Sequence, residues 1–155
     1  MALHIIIDGV DKVGKTTVCK LLSKKLQIPV IKLEGMQKFF DKCPEEVSEV
    51  FSNTVHQFES VSFILDRGFP SSLVYSKYFN RKYDFAYIDE NIVNFNARIF
   101  ILDVAARDDD ELIIPKQQKD IRQLYLKFAN EYGWEIINCE KLTPEEICCR
   151  ILKSL

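Results

Sequence analysis

The sequence predicts an α/β fold in three layers, with helices on both faces of a five-stranded parallel sheet. Three observations predict it. Short apolar, β-branched runs alternate with stretches of helical spacing along the chain. The first run, Ile5-Ile6-Ile7-Asp8, passes straight into a turn bracketed by glycines and then into a helical stretch. A later run, Val61 to Asp66, is apolar and ends in an acid. At 155 residues the chain is expected to form one domain over 1–155.

Taken in order, residues 3–8 read as strand one, apolar on both faces as a central parallel strand must be. Helix one runs from Lys15 to Leu26, with Leu21, Leu22 and Leu26 inward and Lys20, Lys24 and Lys25 in water. Pro29 breaks it, and Val30 to Leu33 form strand two, ended by Glu34-Gly35. Met36 to Lys42 and Pro44 to Phe58 read as helices, the second opened by its proline. Val61 to Asp66 is strand three, Arg67 to Pro70 a turn, and Ser71 to Phe79 the next helix. Asp84 to Asn94 reads as helix, and Ala97 to Val104 as strand four. Ala105 to Pro115 is irregular, after which a long helix reaches Tyr132 and stops at Gly133. Trp134 to Asn138 is strand five. Thr143-Pro144-Glu145-Glu146 then opens the last helix with an N-cap, a proline and two acids.

The stretch Gly9-Val10-Asp11-Lys12-Val13-Gly14-Lys15-Thr16-Thr17 fits G-x-x-x-x-G-K-[ST], the phosphate-binding loop. Its glycines let peptide N–H groups close around a phosphate, and the helix behind it aims a positive dipole end at the same anion. This places the fold among the P-loop NTPases, and that fold implies the strand order 2-3-1-4-5. Gly9, Asp11, Val13, Gly14, Lys15, Thr16 and Thr17 are expected against the donor, with Lys15 reaching the β/γ-phosphates and Thr16 offering a hydroxyl to Mg²⁺. Asp66, closing an apolar strand, is the expected second organiser of the metal. Arg67 beside it could hold an acceptor phosphate bidentately. Within the loop, Asp11 faces a polyanion and is better turned to a hydroxyl of the second substrate, while Lys12 can act on the transferring group. Glu34 is either a sugar-hydroxyl ligand or general base, or simply a residue ending a strand. Residues 105–119 are the candidate lid, with Arg107, Lys116, Lys119 and Arg122 as its cations; a solvated loop is the plainer reading, since Asp108–Glu111 would repel a triphosphate.

A formal net charge of −2 weighs against a binder of duplex nucleic acid. The five cysteines show no C-x-x-C spacing and read as reduced, mostly buried thiols of a cytoplasmic protein. No transmembrane run is present, and a cleavable leader here would remove strand one, so neither is expected.

Gly9 to Thr17 resembles the G-x-D-[RK]-x-G-K-[ST]-[ST] loop of thymidylate kinases, and Asp66-Arg67-Gly68-Phe69-Pro70-Ser71-Ser72-Leu73-Val74-Tyr75 resembles their D-R-Y-x-x-S-x-x-A-Y segment. The order of elements is similar to that of the P-loop nucleoside monophosphate kinases as a whole. The resemblance implies transfer of the γ-phosphate of ATP, with Mg²⁺, to a deoxynucleoside monophosphate. It implies Lys15, Lys12, Asp66 and Arg67 as catalytic residues and Thr16 and Asp66 at the metal. Asp11, Glu34, Arg67, Ser71 and Tyr75 fall on the acceptor side, Tyr75 where an aromatic packs near it. The implied partners are small nucleotides, with no membrane, and a homodimer through sheet-flanking helices is compatible with them. A compact kinase of this kind would suit a viral genome, and its place would then be the host cytoplasm.

Val55-His56-Gln57-Phe58 stands where those kinases carry an arginine-containing acceptor segment, which leaves the acceptor base open. A deoxynucleoside kinase is the alternative, since such enzymes place a glutamate after strand two and an acid-arginine-serine turn after strand three. A kinase of a hydroxyl on nucleic acid, and a catalytically weak nucleotide-binding protein, are the further alternatives.

Overall fold

Nine elements follow one another in the order β1 (His4–Gly9), α1 (Lys15–Leu26), β2 (Val30–Ile31), β3 (Phe63–Asp66), α2 (Phe69–Tyr78), β4 (Arg98–Asp103), α3 (Pro115–Tyr132), β5 (Glu135–Asn138) and α4 (Pro144–Ser154). They belong to a computed structural model that describes residues 1–10, 13–32, 57–81, 96–105 and 115–155. The helices expected at Met36–Lys42 and Asp84–Asn94, and nearly all of that expected at Pro44–Phe58, lie outside the described residues. So do Asp11, Lys12, Glu34 and Arg107, and most of segment 105–119.

The strands form one sheet in the order β2-β3-β1-β4-β5, every pairing parallel. The sheet therefore has the predicted order, and its carboxyl ends share one rim. β1 is buried at every position, as a middle strand between two layers requires. Its side chains alternate between two cores. Ile6 joins Phe63, Leu65, Ile99 and Ile101 on the face covered by α2 and α3, where Leu73, Val74, Ile121, Tyr125 and Phe128 complete the cluster. Ile5 and Ile7 join Ile64, Phe100, Leu102 and Ile137 on the face covered by α1 and α4, against Val18, Leu22, Ile147 and Ile151. Each such side chain stabilises the fold by about 1.5–3 kcal/mol on full burial, so the alternation fixes the register as well as the layers.

Several boundaries differ from the sequence reading for local reasons. β3 starts at Phe63 because the Ser62 hydroxyl accepts the Leu3 N–H at 2.8 Å, in place of a ladder bond. α2 starts at Phe69, two residues early, because Pro70 is accommodated in its first turn. The buried positions of α1 are Lys15, Val18, Cys19 and Leu22, whereas Leu21 and Leu26 are only partly covered. α4 has a full capping box: Thr143 Oγ1 accepts the Glu146 N–H and Glu146 Oε2 accepts the Thr143 N–H. Among the described residues no helix is long and apolar enough to cross a membrane.

Candidate active site

The site lies at the carboxyl ends of β1, β3 and β4 and is joined by Lys32, just past β2. At the loop, Gly9 pairs with Leu102 in the ladder and has φ +138°; a Cβ there would stand 2.3 Å from the Leu102 carbonyl oxygen. Only glycine lets the chain leave β1 so close to β4. Gly14 is the N-cap of α1 at φ 90°, ψ 22°, in the left-handed region. It has no side chain to cap the helix, so the first N–H groups of α1 are left for a ligand. Val13 packs against the core beneath. Lys15 is buried, and its ammonium donates to the Val10 carbonyl, curling back over the loop. Thr16 and Thr17 are exposed on the first turn.

Asp66 closes β3 in register with Ile7. It is buried, and its Oδ2 accepts the Thr16 hydroxyl at 2.7 Å. The two residues expected at the metal are thus in direct contact. Lys32 follows directly after β2 and brings its ammonium 3.8 Å from the same Oδ2. Sequence reading passed over Lys32; the signal available was a cation one step beyond an apolar strand whose neighbour ends in an acid.

Arg67 adopts φ 71°, a conformation that non-glycine residues seldom take, and its N–H donates to the Ile7 carbonyl at 3.0 Å. This bend turns the chain off β3 at the rim. Arg67 Nη1 donates to Ser71 Oγ at 3.1 Å and stands 4.0 Å from Asp8 Oδ1. Its side chain is about one-third exposed, at 31%. Tyr75, one helical turn past Ser71, is half-buried and packs on the α2–α3 core.

Asp8 is the largest omission from the sequence reading, which took it only as the end of strand one. It is fully buried. Its Oδ1 accepts from the Gly9 N–H at 2.8 Å, the Ser71 hydroxyl at 2.6 Å and the Tyr125 hydroxyl at 3.0 Å. Its Oδ2 accepts from the N–H groups of Gly68 and Ser71, both at 3.0 Å. One carboxylate therefore joins the phosphate loop, the Arg67 turn, α2 and α3. An acid directly before the first loop glycine, at the end of an apolar strand, was the signal. Burial pushes the Tyr125 phenol well above its ordinary range, and the Asp8 charge adds to this, so Tyr125 stays a neutral donor.

Asp103 ends β4 and accepts Arg122 through two bonds, from Nε at 2.7 Å and Nη2 at 2.8 Å. That hydrogen bonding raises the Arg122 pKa further. Arg122, expected among the lid cations, is thus engaged with a strand end. Burial, with Asp66 adding, pushes the Cys19 thiol strongly up, and burial pushes Cys139 up to about 11. Both are thiols at neutral pH, in keeping with their reading as small core residues.

A parallel sheet with this order, a glycine loop between β1 and α1, and an acid closing β3 together define the P-loop nucleoside monophosphate kinase fold, and the chain has that fold. No family model matches the sequence, and no curated protein sequence does. Solved structures do. The chain is similar to the YorR protein from Bacillus subtilis in complex with phosphorylated GDP, with 25% identity and TM-score 0.74 over 97% of this chain and 94% of that one. It is similar to thymidylate kinase from Candida albicans, with 18% identity and TM-score 0.66 over 99% and 90%. Deoxyadenosine kinase from M. mycoides with bound dATP is a third, with 18% identity and TM-score 0.67 over 98% of each chain.

Proposed function

We propose that the protein transfers the γ-phosphate of ATP to a deoxynucleoside monophosphate. The observation that carries this reading is the direct bond between Thr16 and Asp66, with Arg67 bent onto the same rim. A loop and an acid alone would serve hydrolysis equally well; an arginine adjoining the acid gives a second phosphate somewhere to bind. The residues suit the implied ligands. Thr16 Oγ1 and Asp66 Oδ2 are hard oxygen donors, the type Mg²⁺ takes, and the loop glycines with the uncapped start of α1 suit a polyphosphate. Bound there, Mg²⁺ would offset charge on the donor phosphates. In this reading Lys15 exchanges the Val10 carbonyl for a phosphate oxygen, Arg67 grips the acceptor phosphate, and Tyr75 lies beside the acceptor. Asp11 and Lys12 keep the roles that the resemblance gives them, and Glu34 is the candidate ligand of a sugar hydroxyl.

A deoxynucleoside acceptor is the second reading, supported by likeness to two complexes of deoxyadenosine kinase from M. mycoides, at 15% and 18% identity. The YorR complex with phosphorylated GDP adds guanine to the bases worth testing. The test is ADP release from ATP with each dNMP, dGMP included, and with each deoxynucleoside. Turnover with one or more monophosphates is the expected result, and turnover with nucleosides alone would select the second reading. Lys15→Ala should lower kcat at least about a hundredfold, the scale of losing one charge-stabilising group, with an unchanged circular dichroism spectrum.

A further inference from the structure

Arg67 is held from a helix distant in sequence. Tyr125 sits in the middle of α3, 1% exposed, with its hydroxyl 3.0 Å from Asp8 Oδ1 and 3.0 Å from Ser71 Oγ. Ser71 gives its one hydroxyl proton to the same Asp8 oxygen at 2.6 Å. A serine hydroxyl has a single proton and two lone pairs. With that proton committed to Asp8, Ser71 can face Arg67 only as an acceptor, and Arg67 Nη1 donates to it at 3.1 Å. The phenol, kept protonated by its surroundings, gives its own single proton to Asp8 Oδ1, and its oxygen stands 3.0 Å from Ser71 Oγ.

We propose that Tyr125 is a positioning residue for Arg67. Through Asp8 and Ser71 it fixes the guanidinium in the orientation from which it takes an acceptor phosphate. The proposal explains why a phenol, and not a plain aromatic ring, stands at this core position. A ring alone would fill the space between α2 and the sheet; the hydroxyl is required only by the relay. Its bearing on catalysis rests on the reading of Arg67 as the acceptor-phosphate ligand, but the ordering of Arg67 can be measured without any substrate.

The experiment compares the wild type with Tyr125→Phe and Ser71→Ala, the second variant leaving the core ring in place. Side-chain NMR of the arginine guanidinium groups reads the relay directly. In the wild type the Arg67 Nη signals should be split and exchange slowly, and in both variants they should merge. The Arg122 signals, held by Asp103, should not change and serve as the internal control. Steady-state kinetics on the monophosphate turned over by the wild type reads the consequence. For Tyr125→Phe the acceptor KM should rise about tenfold, the scale of one charged-group hydrogen bond, with the ATP KM and kcat within about threefold. Arg67 signals and acceptor KM unchanged in both variants would overturn the proposal. Merged Arg67 signals in variants of a protein that phosphorylates no acceptor would uphold the relay and overturn the kinase reading.

Discussion

A carboxylate taken out of water loses several kcal/mol of hydration unless donors replace it. At Asp8 five donors do so: three N–H groups and two hydroxyls. These donors come from the loop, the β3–α2 turn, α2 and α3, so the residue sets the mutual placing of those four parts. Asn at position 8 would offer one oxygen and turn an NH₂ group toward groups that are themselves donors. Asp8→Asn should therefore destabilise the fold by about 2–4 kcal/mol, read from urea unfolding. Lys32 is a lesser term. Its ammonium is 3.8 Å from Asp66 on a side chain 41% exposed, whereas the Thr16 hydroxyl is 2.7 Å away, so the hydroxyl governs how Asp66 is oriented. At this scale the sequence was legible where a motif fixes spacing: Gly14, Lys15, Thr16, Asp66 and Arg67 follow from the loop pattern and the strand-ending acid. Asp8 and Tyr125 were not, because their partners lie 60, 63 and 117 residues apart in the chain and only the fold brings them together.

Among the elements, the close pairing of β1 with β4 at Gly9 is a tight constraint. Gly9 is opposite Leu102, and the Leu102 carbonyl occupies the place of a Cβ at 2.3 Å. The obstacle is backbone in a central strand, so it cannot swing aside. Gly9→Ala should lower stability by about 2–4 kcal/mol, and ATP binding should weaken in the fraction that remains folded, as calorimetric titration would report. Gly14→Ala meets open space and carries only the strain of a positive φ, about 1–2 kcal/mol. The two loop glycines thus act for different reasons, one steric and one conformational. The start of α1 was readable from the loop motif, the stop of α3 from Gly133, and α4 from Thr143-Pro144. The shortening of β3 was not, since it depends on a Ser62 hydroxyl meeting a Leu3 amide across the sheet.

For the molecule as a whole, alternation of apolar runs with helical spacing was enough to give the three layers, while the strand order came from the fold that the glycine loop implies. Periodicity reports burial, and burial on both faces is what a parallel sheet demands. The same burial makes stability depend on pH. Tyr125 has a folded pKa raised above its unfolded value of 10.0, by desolvation first and then by Asp8. The unfolded chain releases that proton while the folded chain retains it, so the contribution is complete below pH 10 and is lost as pH rises beyond it. Cys139, raised from 9.0 to about 11, acts in the same direction from pH 9 upward. Unfolding free energy should therefore fall between pH 9 and pH 11, and Tyr125→Phe should flatten the part of the slope above pH 10 by about one proton.

The central claim is that the rim holds two phosphates, one at the loop and one at Arg67, and so transfers a phosphoryl group between substrates. Following the label from [γ-³²P]ATP, with Mg²⁺ and a mixture of deoxynucleoside monophosphates, tests it most directly. The label should appear on a deoxynucleoside diphosphate, and Arg67→Ala should remove that product. Label found only on inorganic phosphate, or left on ATP in the presence of every monophosphate, would contradict the account.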